Sequence, residues 1–227
     1  MEKKEFPKKG LGRNFKPDKA AAGKPSWISN KAFDIIKLVL GVCLLPFVYS
    51  STVAFLRQIS HVGSSLQNYF WSGVVTFLIV YLFIAEAGWI YEKGHRLLEV
   101  IFSFFQPLVK VAPYLLPVYT IIIFFVYLIL GLFINGRWLI NYTMFFLGLT
   151  LMMHLIFSSK AIRLKKGDLL RSNYIFGFSF IYIINLGILA FFLNVIFKNF
   201  SFVNFCNTAY SIAGSIFAVI FSQLFKV

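Results

Sequence analysis

Glu92, His95 and Glu99 stand at positions i, i+3 and i+7 of one stretch of chain. On an α-helix that spacing puts an imidazole and two carboxylates on a single face. A carboxylate can activate water as a general base, and an imidazole can ligate a metal or carry a proton. Beyond Asp34 the chain has only four carboxylates, Glu86, Glu92, Glu99 and Asp168, and its three histidines are His61, His95 and His154. His61 falls in a polar connection and reads as a solvated loop residue. Glu86 lies deeper in an apolar run and on a different face from Glu92. It reads as a protonated glutamate bonded to a neighbour such as Asn141 or Asn185, in preference to a proton or substrate contact. Such groups stand out because the rest of the chain is so apolar.

Of 227 residues, 59% are hydrophobic, 19% aromatic and 13% charged. A soluble domain of this length has too much surface to leave so little of it polar. A bilayer removes the conflict, and ionisable groups at membrane depth are costly enough that the few present are the site candidates. A hydrocarbon core of about 30 Å needs roughly 20 apolar residues of helix. Six runs of that size occur, at about 34–57, 70–92, 112–134, 138–158, 174–197 and 202–225. They are too long for strands and lack the alternation of a barrel. The expected fold is an all-α, polytopic membrane protein of about six transmembrane helices. It comprises a basic tail over 1–32 and one membrane domain over 33–227.

The net charge of +14 is unevenly placed, since nine of the 22 Lys and Arg lie in 1–32. That tail reads as disordered and cytoplasmic, a topology signal that can also attract anionic lipid headgroups. Nucleic-acid binding is not expected, because no folded reading motif accompanies the charge. With the tail inside, the inner connections 93–111 and 159–173 carry Lys93, Arg96, Lys110, Lys160, Arg163, Lys165, Lys166 and Arg171, against Arg57, Arg137 and Lys198 outside. The positive-inside rule then puts both termini in the cytoplasm. Cys43 and Cys206 lie in apolar runs and read as small buried residues, without metal-site spacing. Asn185, Asn194, Asn204 and Asn207 are candidates for interhelical hydrogen bonds, and Gly187 and Gly214 for close packing.

The segment from Gly94 to Phe105 alternates charged and apolar residues. It is expected to continue the second helix and bend onto the interface before Pro107. Ala112-Pro113-Tyr114-Leu115-Leu116-Pro117 must open or kink the third helix, because each proline removes a backbone donor. Neighbouring helices then have to satisfy the freed carbonyls. On this helix map Glu92, His95 and Glu99, His154 about one turn from the end of the fourth span, and Asp168 in the next loop all share one side of the membrane.

The run Tyr91-Glu92-Lys93-Gly94-His95-Arg96-Leu97-Leu98-Glu99 resembles the motif helix of the site-2-protease-like intramembrane zinc metallopeptidases, which reads His-Glu-x-Gly-His. Two more segments look like one bacterial branch of that family: Ala112-Pro113-Tyr114 through Thr120, and His154-Leu155 through Gly167-Asp168 to Tyr174-Ile175-Phe176-Gly177. The resemblance covers roughly 75–195 and implies a multi-pass protein of the cell inner membrane acting on membrane-protein substrates. It implies Glu92 as general base and His95 as a zinc ligand, with Asp168 as another. The departure is Tyr91, which stands where the first histidine ligand belongs; the stretch before Ala112 is also shortened. Three readings follow: a degenerate relative without catalytic metal, a rearranged site in which His154 joins His95 and Asp168, or an accidental likeness. A non-enzymatic protein, either a transporter-like pore or an assembly partner, is the rival from another class.

Overall fold

Backbone N–H and C=O groups inside hydrocarbon must be satisfied within the chain, so long apolar segments coil into helices. The computed structural model describes residues 27–83, 88–101, 103, 112, 114–134, 136–164 and 174–225. Among these residues there are seven helices and no strand. They are α1 (Trp27–Ile59), α2 (Ser64–Phe83), α3 (Gly88–Ile101), α4 (Val118–Phe133), α5 (Arg137–Leu164), α6 (Tyr174–Ile196) and α7 (Phe202–Phe225). Five of them, α1, α2, α5, α6 and α7, are long and apolar enough to cross a membrane. The chain is an all-α polytopic membrane protein.

α5 is the central helix, flanked by α2, α4 and α6, while α1 packs on α6 and α7. α2 and α5 run parallel: Phe70 lies beside Gly148, and further along the ring of Phe77 is 6.0 Å from that of Phe157. α1 and α6 also run parallel, with Gly41 beside Phe176 and the Thr52 and Tyr182 hydroxyls 2.9 Å apart. α7 returns along α1, where Phe47 meets Phe217 at 5.6 Å and Gln58 accepts from the Ser201 N–H at 3.2 Å. Lys93, Arg96, Lys160 and Arg163 consequently gather at one end of the bundle, and Arg57, Arg137 and Lys198 at the other.

The elements differ from the expected ones where polar residues set the limits. α1 already begins at Trp27, inside the expected tail. The second span is α2, six residues earlier than expected, because Gln67 and Asn68 are tolerated near its start; Gln67 donates to the Val62 carbonyl at 2.6 Å. Glu92 to Glu99 therefore belong to a separate amphipathic helix, α3, whose charged face cannot enter hydrocarbon. That helix ends at Ile101, short of Phe105. The third span is broken: Leu116 N–H bonds to Ala112 O at 2.9 Å, Val118 N–H to Leu116 O at 3.0 Å, and α4 starts only after Pro117. Its 16 residues rise about 24 Å, short of a full hydrocarbon core.

Helices in lipid gain no hydrophobic drive from meeting each other, so close backbone approach and interhelical hydrogen bonds hold them together. The close approach is between α2 and α5. A Cβ on Gly73 would strike the Phe145 carbonyl, and one on Gly148 the Phe70 carbonyl. Gly187 and Gly214, expected to be close-packing positions, have nothing within 4 Å of such a Cβ. Asn185 and Asn194 do bond across elements, to Leu115 O at 3.0 Å and from Phe202 N at 2.9 Å. Asn204 and Asn207 lie exposed on α7, and so do both cysteines on the outer surface, where lipid covers them at no cost to a small apolar side chain. Gly148→Ala should therefore lower the midpoint of thermal unfolding in detergent by the equivalent of about 1–3 kcal/mol. Gly187→Ala should leave that midpoint unchanged or slightly raised.

Candidate functional site

α3 carries the polar face predicted from its spacing and packs on both α4 and α5. Tyr91, on its first turn, reaches α5: its ring stacks on Phe157 at 5.4 Å, and its hydroxyl lies 3.1 Å from Ser158 Oγ. Ser158 Oγ is in turn 3.1 Å from Nε2 of His154, one helical turn earlier on α5. The same Nε2 is 3.2 Å from the Tyr114 carbonyl. A carbonyl can only accept, so the His154 Nε2–H donates to it and the ring's lone pair resides on Nδ1. Gly94 makes room for the next contact, since a Cβ there would meet the Tyr119 ring at 2.7 Å. His95 then lies edge-on to Tyr114 with ring centroids 4.7 Å apart.

Tyr91, His95, Tyr114 and Phe157, with Glu92, Lys160 and Ala161, line a cavity of about 310 Å³ at this end of the bundle. Its walls are mainly aromatic, with a carboxylate from α3 and an ammonium from α5, both exposed. That size and mixture suit a ligand with an apolar body and a few polar groups. Glu92 and His95, the expected base and ligand, thus do line one site. His95 Nε2 also lies 3.5 Å from Glu99 Oε1, one turn on. His154 is close by, its ring 6.0 Å from that of Tyr91, as is the ring of His95. It sits deeper than expected, however, because α5 continues ten residues past it to Leu164. Asp168 and Glu86 lie outside the described residues.

The described residues do not suit a zinc ion. Among them no three His, Cys, Asp or Glu come together as a metal site. Nε2 of His154 is taken up by the Tyr114 carbonyl at 3.2 Å, which leaves Nδ1 as that ring's lone-pair nitrogen. Tyr91, in the place of a first histidine ligand, has its phenol pushed up from 10.0 to about 12, chiefly by burial and less by the nearby Tyr114, against a lowering by its bond to Ser158. A phenol that stays protonated at neutral pH is a hydrogen-bonding group. Ser158, beside His154, is fully buried and is not among the residues that line the cavity.

No family model, curated protein or solved structure matches this chain.

The residues that sequence reasoning missed are Ser158 and the two tyrosines as a joined set. The i, i+4 spacing of His154 and Ser158 was available as a signal, but the carbonyl of Tyr114 leaves no mark in a side-chain pattern. Tyr91→Phe should loosen α3 by about 0.5–1.5 kcal/mol, the worth of one hydrogen bond, read as faster amide exchange over 88–101. The same docking should be insensitive to pH up to about 10. It should be lost as pH rises from there through about 12, because the folded phenol ionises later than the unfolded one.

Proposed function

We propose that this chain is a site-2-protease-like membrane protein whose metal centre is replaced by a hydrogen-bonded junction, so that it binds a membrane-protein segment without hydrolysing it. The reading places it in the cell inner membrane, with both termini in the cytoplasm and the cavity at the inner surface. The single observation that carries it is the Tyr91 hydroxyl on Ser158, 3.1 Å away, where the likeness calls for a histidine bound to zinc. A motif helix docked by a neutral phenol keeps its position relative to α5 without a metal ion. The cavity beside it still offers aromatic walls to apolar side chains, with Glu92 and Lys160 for the polar backbone or ends of a bound segment.

The charge distribution supports the orientation: the end carrying Lys93, Arg96, Lys160 and Arg163 is also the one from which the sequence continues through Lys165, Lys166 and Arg171. Metal analysis at neutral pH tests the reading directly. Purified protein is expected to hold far less than stoichiometric zinc, with no loss of folding on chelation, and to leave membrane-embedded peptide substrates uncut. Tightly held zinc that disappears in both His95→Ala and Asp168→Ala would overturn the proposal in favour of an active metallopeptidase. His154→Ala separates the roles further. It is expected to lower thermal stability by about 1–3 kcal/mol, through the stranded Tyr114 carbonyl, with or without added zinc.

A further inference from the structure

The cavity beside α3 carries one full charge of each sign in its wall, Glu92 from α3 and Lys160 from α5. Neither belongs to an ion pair among the described residues, with the other or with any further group. The remaining charges at this end are set apart from it. Lys93, Arg96 and Arg163 are not among the residues that line the cavity, and Glu99 is matched with His95 at 3.5 Å. The wall is therefore balanced in charge but unpaired within itself. An occupant that satisfies both groups brings a cation for Glu92 and an anion for Lys160, with no net charge of its own.

The height of the two charges narrows the occupant further. α3 exposes Leu97, Val100 and Ile101, at 44%, 71% and 53%, as well as Glu92, Lys93, Arg96 and Glu99. A helix that shows both kinds of side chain to its surroundings lies at the boundary between headgroups and acyl chains. Lys160 reaches the same height from α5. The 28 residues of that helix rise about 42 Å against a hydrocarbon core of about 30 Å, so a helix centred on the core emerges by about 6 Å at each end. Lys160 is one turn before the last residue, Leu164, and so stands at the edge of the core. A cavity of about 310 Å³ is in the range of small-molecule sites, which suits a headgroup whose chains stay outside in the lipid. A soluble zwitterion offers the same two charges but has to arrive from dilute solution, whereas lipid headgroups stand at this height at high local concentration.

We infer that, when no protein segment is in it, the cavity holds the headgroup of a zwitterionic phospholipid, with the phosphodiester on Lys160 and the ammonium on Glu92. This goes beyond the segment-binding reading and does not rest on it. The test is native mass spectrometry of the full chain in mild detergent, supplied with equal amounts of phosphatidylethanolamine and phosphatidylglycerol bearing the same acyl chains. The second lipid has the phosphodiester but no ammonium. The wild type is expected to retain the ethanolamine lipid in preference, by about tenfold. Glu92→Gln is expected to erase that preference while phosphatidylglycerol is still retained through Lys160. Lys160→Gln is expected to weaken retention of both lipids. Both side chains are exposed, so the thermal midpoint is expected to stay where it is in either variant. Glycerophosphoethanolamine, the same headgroup without chains, is expected to compete only in large excess. Equal retention of the two lipids by the wild type would overturn the inference, as would a preference that survives Glu92→Gln or retention unaffected by Lys160→Gln. Displacement of the lipid by stoichiometric glycerophosphoethanolamine would overturn the lipid as the source and leave a soluble zwitterion in its place.

Discussion

Pro117 imposes the constraint on which the rest of the structure depends. Proline has no N–H, and inside a membrane no water replaces the missing bond. The helix that would have run through 112–134 stops, Val118 N–H turns back to Leu116 O, and the carbonyls of Tyr114 and Leu115 are left to other helices. α5 answers with His154 and α6 with Asn185, at 3.2 and 3.0 Å. Two side chains from two helices thereby fix the break in place, and α4 restarts as a short helix from a known point. Thr120 and Thr150, 3.1 Å apart and buried, continue the same seam between α4 and α5.

That seam determines what the neighbouring polar groups can do. Once His154 Nε2–H is committed to a carbonyl, Ser158 and then Tyr91 line up behind it, and the phenol carries α3 against α5. The tight contact of α2 with α5 through Gly73 and Gly148 provides the other wall, so that Phe77 and Phe157 meet Tyr81 and Tyr91 as one aromatic cluster. The cavity is what remains between this cluster, Tyr114 and the charged face of α3. Its shape follows from backbone bookkeeping at a proline, several residues away from any group that could do chemistry.

Much of the fold was legible because bilayer thickness and hydropathy act over twenty residues at a time. The helical class, the alternation of ends and the break at 112–117 with its need for outside donors all follow from counting. The errors lie where single residues decide. Gln67 and Asn68 marked a boundary in composition but fit near a helix start, which shifted α2. Gly214 lies between the small residues Ala213 and Ser215 and Gly187 between Leu186 and Ile188, much as Gly148 lies between Leu147 and Leu149, yet of these positions Gly148, with Gly73, is the one that meets a neighbour's backbone. No local pattern shows which face of an apolar helix meets its partner, because lipid and protein are equally apolar surroundings. At the site, the i, i+3, i+7 face of α3 was readable, but the tautomer and depth of His154 depend on Tyr114 O and on how far α5 extends.

A buried histidine near two tyrosines and a serine looks like machinery, and the same observation has a plainer physical cause. Replacing His154 by an apolar residue would leave the Tyr114 carbonyl without its donor, a penalty of about 1–3 kcal/mol for an unsatisfied buried group. Replacing Pro117 alone would restore an N–H but would not by itself restore a continuous helix, since Ala112–Leu116 already turns separately. Proline and imidazole are thus coupled through one oxygen atom, whatever else the site does. The polarity of His154 and Ser158 therefore carries little weight as a sign of catalysis. The charged and titratable groups on the cavity wall, as distinct from the tyrosines, are Glu92, His95 and Lys160, and it is on these three that a binding function has to rest.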